Sequence, residues 1–215
     1  VLDESVLEAH PEFLAEVNGK RFMPETPHTW TTAPQLCWSN PEVQRLMAEK
    51  VKRWWKANPD IDMISSFPPD NMNYCECVEC KKLGDVSTRW QIFSANVIKL
   101  VEKEYPGKKY ANIAYQGYRD VPSGDLAPFE YTDYCLYNRC YRHLFAEEVV
   151  EDTGALKEIQ LWQDKGAKMG IWGYEFDITS DPIFFPLLSM EVDQASYFAK
   201  NGIGSFHTEI RPLGT

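Results

Sequence analysis

The stretch KKYANIAYQ at 108–116 decides the fold: a short apolar run, too brief for a helix, that closes on the polar Gln116. Four others repeat the design: IDMISSFPPDN at 61–71, YTDYCLYNR at 131–139, KMGIWGYEFD at 168–177 and IGSFHTE at 203–209. Each reads as a buried strand. Helical patterns separate most of them, which argues for parallel pairing. The strand ends present Asp70, Gln116, Arg139, Glu175, Asp177 and Glu209. In alternating β/α folds these ends carry the loops that meet a ligand, so one shared acidic site is expected.

Working outward, Asn40-Pro41-Glu42 supplies an N-cap, a proline at the first helical position and an acid in the first turn. Val43, Met47, Val51 and Trp54 continue it as a helix ending near Asn58-Pro59. A second helix carries Trp90, Phe93, Val97 and Leu100 on one stripe and stops at Tyr105-Pro106-Gly107. Helices are also expected over 154–165 and 189–200. Residues 1–35 and GYRDVPSGDLAPFE at 117–130 read as loops or short elements. The fold class is α/β, a partial TIM-type (β/α)8 barrel occupying 1–215 as one domain. A complete barrel usually needs about 250 residues, so this chain of 215 is expected to be an interior slice of a longer protein with further domains.

Composition narrows the partners. The chain holds 32 Asp+Glu against 22 Lys+Arg, with no basic run long enough to follow a phosphate backbone, so nucleic acid is not expected. No apolar run approaches the ~20 residues of a membrane span. Seven Trp offer flat faces suited to sugar rings as well as to cores.

Cys75, Cys77 and Cys80 form a tight CxCxxC whose thiolates can converge on one ion. Disulfide pairing is the alternative, favoured in an exported protein, although CxC neighbours bridge poorly. Cys135 and Cys140 read as buried thiols.

His10-Pro11-Glu12 with Gly19-Lys20-Arg21, QLCWSNPEV at 35–43, DNMNYCECVEC at 70–80, FSANV at 93–97, AYQ at 114–116 and NGIGSFHTE at 201–209 together resemble the domain-of-unknown-function 4838 family, related to glycoside hydrolase family 163. The resemblance spans nearly the whole chain. It implies a TIM-type barrel in a larger secreted or surface protein that degrades glycans. An extracellular, periplasmic or cell-surface location is the corresponding expectation. It also implies Cys37 as a fourth ligand beside Cys75, Cys77 and Cys80, a closed site suited to structural zinc. No cofactor is expected for catalysis.

The expected activity is cleavage of a glycosidic bond, foremost an N-acetylhexosamine linkage as in an endo-β-N-acetylglucosaminidase. A uronic-acid-releasing hydrolase and a glycan-binding barrel without catalysis are the alternatives. Such cleavage needs a proton donor and a second group that attacks or stabilises an oxocarbenium-like centre. Asp70 and Glu209 are the first candidates and Glu175 the third. Asn71, Tyr115, Trp172, Tyr174 and Asp177 are candidate substrate contacts. Under substrate assistance the sugar's acetamido group is the nucleophile, and Asn71, Tyr115 and Tyr174 gain weight. Arg139 and His143 could hold a uronate or sialyl carboxylate, or pair with neighbouring acids.

Overall fold

The computed structural model describes residues 2–21, 23–24, 29, 31–65, 67–137, 154–174 and 188–208. Its helices are α1 (Glu4–Ala9), α2 (Pro41–Ala57), α3 (Val78–Lys82), α4 (Val86–Glu102), α5 (Ala155–Asp164) and α6 (Leu188–Lys200). Its strands are β1 (Glu16–Val17), β2 (Lys20–Arg21), β3 (Met63–Ser65), β4 (Lys109–Ala114), β5 (Tyr131–Cys135), β6 (Met169–Gly173) and β7 (Ile203–Thr208). The last five form one parallel sheet in the order β3-β4-β5-β6-β7, as the alternating pattern predicts. Among the described residues the sheet is open and does not close into a barrel. No described helix is long and apolar enough to cross a membrane.

Packing divides the chain into two compact units. The first comprises 1–110 and 116–129, the second 111–115 and 130–215.

In the first unit α2 packs on α4. The Asn40 side chain accepts from the amides of Glu42 (2.9 Å) and Val43 (3.4 Å), and Pro41 needs no such partner. Val43, Ala48, Val51 and Trp55 are buried from α2; Trp90, Phe93, Val97 and Val101 answer from α4. Asp85 caps α4 by accepting from the Thr88 amide at 2.7 Å. β3 departs from the sequence reading. The run IDMISSF was expected to be buried, but the strand is only three residues long and Met63 and Ser65 are exposed. It is an end strand of the sheet, and apolar composition alone does not distinguish an edge from a centre.

In the second unit β4 from Ala111 onward, β5, β6 and β7 pair with Ile113 opposite Asp133, Asp133 opposite Gly170, and Gly170 opposite Ser205. The register slips between β6 and β7: Met169 pairs with Ile203, but Gly170 pairs with Ser205, leaving Gly204 as the extra residue. A one-residue slip moves every later side chain to the opposite face. Phe206 therefore meets Phe198 of α6 (centroids 5.7 Å apart), while His207 points to the other side. Tyr134 donates to Glu158 of α5, so helices cover the Tyr134 face and leave the Asp133 face to other use.

Candidate functional site

Two constellations stand out, one in each unit. In the first, four sulfurs converge. Cys37 precedes α2; Cys75, Cys77 and Cys80 lie on the loop after β3 and on α3. All four are buried, all are free thiols, and their sulfur atoms lie within 4.8 Å of one another. The Cys37 sulfur is 3.7 Å from that of Cys77 and 3.8 Å from that of Cys80. A tetrahedral ion with bonds of about 2.3 Å to sulfur would set its ligands about 3.8 Å apart. The thiols are thus at the spacing of a metal-binding tetrahedron and too far apart to be bonded to each other.

The surroundings are built to stabilise charge on sulfur. The β1–β2 hairpin, turned by Asn18 and Gly19 at positive φ (51° and 74°), lies against the cysteine loop. There the Glu16 amide donates to the Cys75 sulfur at 3.3 Å and the Glu76 amide donates to the Glu16 carbonyl at 2.7 Å. The Cys80 amide reaches the Cys77 sulfur at 3.5 Å, and a nitrogen of Arg21 stands 3.9 Å from the Cys75 sulfur. Hydrogen bonds from Cys75 and Cys80 pull the Cys37 thiol well below its ordinary range, and the Cys37 contact pushes Cys80 up to about 11. Cys77 is likewise lowered and Cys75 raised, and because an ion would displace the thiol protons, its affinity would weaken as the pH falls.

Next to this cluster in sequence, Asp70 accepts a hydrogen bond from the Gln116 side chain. Asn71 is occupied by the backbone: its amide nitrogen donates to the carbonyls of Thr31 (3.1 Å) and Ala33 (3.0 Å), and its oxygen accepts from the Asn73 amide at 3.2 Å. Gln35 adds donors to the Pro69 and Asn71 carbonyls at 2.9 and 3.1 Å. The loop that carries Asp70 is therefore fixed by polar side chains at every second or third residue.

In the second unit the face opposite the helices gathers polar and aromatic groups. Asp133, midway along β5, is 3% exposed. Its Oδ1 accepts from the Ser205 hydroxyl at 2.8 Å and its Oδ2 lies 2.9 Å from Nδ1 of His207. Burial pushes the Asp133 carboxyl up, against the Ser205 and His207 contacts that lower it. Gly170 makes the room. A Cβ there would stand 1.9 Å from Oδ1 of Asp133 and 2.0 Å from the Ser205 oxygen, so no larger residue fits beneath the carboxylate. Trp172 pairs with His207 across β6 and β7, with ring centroids 6.1 Å apart. Tyr174 joins this face, its hydroxyl 2.8 Å from the Cys135 sulfur. Tyr115 follows β4 and meets Tyr137 edge-on at 5.6 Å.

Of the residues singled out from the sequence, the structure brings Cys37, Cys75, Cys77 and Cys80 together, and sets Trp172 and Tyr174 on a common face. Arg139, His143, Glu175, Asp177 and Glu209 lie outside the described residues. Asp133 and His207 escaped the sequence reading. A lone acid inside an apolar strand was the available signal for the first; the second depends on the bulge at Gly204.

The architecture defines a class: a parallel β/α chain with a four-thiol cluster at metal-binding distance and a sheet face bearing an Asp–His pair and aromatic rings. The model of a family described as a domain of unknown function (DUF4838) matches residues 1–211, and the chain belongs to that family. Neither the search of curated proteins nor that of solved structures gave a match.

Proposed function

We propose that the chain is part of a glycoside hydrolase that cleaves a linkage in a complex glycan, foremost one to an N-acetylhexosamine. The observation that carries the reading is the sheet face turned away from α5 and α6, where Trp172 and Tyr174 lie beside a buried carboxyl. Aromatic faces pack against the C–H surfaces of sugars, and glycoside cleavage requires carboxyl groups within reach of a sugar held in that way. The family resemblance points the same way. Asp70, Glu209 and Glu175 remain the proposed acids for proton transfer and attack, with Asn71, Tyr115 and Asp177 proposed at the substrate and Arg139 and His143 proposed for an acidic sugar.

Zinc is the proposed occupant of the four-cysteine cluster. Four buried sulfur donors leave no position for water or substrate, so its part is to brace the loop after β3 and not to take part in the reaction.

The test is a panel of N-glycans, N-acetylhexosaminides and glucuronoxylan fragments offered to the full-length protein. Release of a shorter glycan supports the proposal, and its loss on Asp70→Asn or Glu209→Gln assigns the acids. Glycan retention without any product overturns the hydrolase in favour of a binding module. Neither retention nor product overturns both.

A further inference from the structure

We infer that Asp133 and His207 grip a hydroxyl of the sugar that lies on Trp172: Asp133 fixes the imidazole through Nδ1, and His207 offers Nε2 to the ligand. This rests on the glycan reading above. Asp133 is a positioning residue and His207 the contact.

Three features make the pair a built device. First, an acid at 3% exposure in mid-strand is costly unless its oxygens are satisfied, and both of them are, by Ser205 at 2.8 Å and His207 at 2.9 Å. An apolar residue would cost the core less, whereas this acid holds the Ser205 hydroxyl and the His207 ring in place. Second, the space is made by two glycines. Gly170 admits the carboxylate, and Gly204, where a Cβ would stand 3.0 Å from the Tyr131 ring, carries the bulge that turns His207 toward Asp133. Bulges recur where a side chain must be re-aimed beside a site. Third, the far side of the imidazole is open. The His207 side chain is 49% exposed, and among the described residues only Nδ1 has a hydrogen-bond partner.

The polarity at Nε2 follows. With Asp133 accepting at 2.9 Å, Nδ1 carries the hydrogen, and the tautomer that holds its hydrogen there presents a lone pair at Nε2. That lone pair accepts from a sugar hydroxyl. Asp133→Asn would keep an oxygen for Ser205 and turn its amide toward the ring, so Nδ1 becomes the acceptor and Nε2 the donor.

The experiment combines tautomer and affinity. Long-range ¹H–¹⁵N spectra of the full-length protein, labelled at histidine, should report hydrogen on Nδ1 of His207 and its transfer to Nε2 in Asp133→Asn. Against whichever glycan the panel identifies, His207→Ala should weaken binding by about tenfold, the effect of one lost hydrogen bond, and Asp133→Asn by less, because the hydroxyl can also accept from Nε2 once the tautomer is reversed. Ser205→Ala should leave the tautomer in place. Hydrogen on Nε2 in the unaltered protein overturns the pairing even if glycan is cleaved. Unchanged affinity in His207→Ala overturns the contact. Absence of all glycan binding, with the tautomer as expected, sinks the glycan reading and the inferred ligand with it.

Discussion

Cys80→Ser tests the four-thiol cluster most sharply. Cys80 has no exposed surface, and its sulfur stands 3.8 Å from that of Cys37 and 3.2 Å from the Ser39 hydroxyl. Serine nearly preserves the shape but replaces a soft thiolate with a poor ligand, so the ion is lost while packing changes little. An ion that binds only the folded state stabilises it by about 4 kcal/mol when its free concentration is about a thousand times Kd, and a variant that loses the ion loses all of this. For a chain of this size about 1 kcal/mol moves the thermal midpoint by about 2–4 °C, which puts the expected fall at about 8–16 °C. The assay is thermal unfolding of the full-length protein followed by circular dichroism, with metal content measured by mass spectrometry. The unaltered protein should carry about one zinc and lose stability on chelation. Cys80→Ser should start from the lower midpoint, hold little zinc and ignore the chelator. Cys135→Ser, a buried thiol outside the cluster, should keep its zinc. A metal-free protein whose midpoint is untouched by both chelator and Cys80→Ser would refute the reasoning.

Gly170→Ala forces a methyl to within 2.0 Å of two oxygens, and overpacking of this kind costs about 1–3 kcal/mol; chemical denaturation should report that loss, together with displacement of His207 in the tautomer spectrum. Trp172→Ala should weaken glycan binding by at least about tenfold while unfolding remains cooperative, as measured by calorimetric titration. Asp85 remains ionised down to about 2: desolvation opposes this, but hydrogen bonds from Ser123 and Thr88 outweigh it. A carboxylate whose folded pKa is depressed contributes stability that is present above its unfolded pKa and lost as pH falls toward the folded one. Asp85→Ala should accordingly cost about 1 kcal/mol at neutral pH, a figure kept low because the side chain is exposed, and the difference should vanish between about pH 4 and pH 2 in acid-unfolding curves.

The strands and long helices were legible because their signals are local. The Asn40-Pro41 cap and the stripe of Trp90, Phe93 and Val97 need no knowledge of distant residues, and the apolar runs of β4 to β7 are too short and too well bounded for anything else. The cysteine set was legible from close spacing for three members and from family resemblance for Cys37. What escaped depends on partners. The exposure of β3 is set by its place at the end of the sheet, which IDMISSF does not encode by itself. The Asp133–His207 pair depends on a register slip between strands that are 34 residues apart from Met169 to Ile203, and no period-two count along 203–208 contains it. Asn71 misled in the opposite sense. A polar residue at a loop start reads as a ligand contact, whereas its amide braces the backbone of Thr31 and Ala33.

The extra residue at Gly204 also has a consequence for chain length. Strict pairing that kept every residue from Ile203 onward would place Phe206 beside Trp172 and turn the imidazole toward α6, whereas deletion of Gly204 itself would leave Ser205, Phe206 and His207 opposite Gly170, Ile171 and Trp172 as they stand. A strand shorter by that one residue should consequently keep the chemistry of both surfaces, and a residue inserted directly after Ser205 should exchange it.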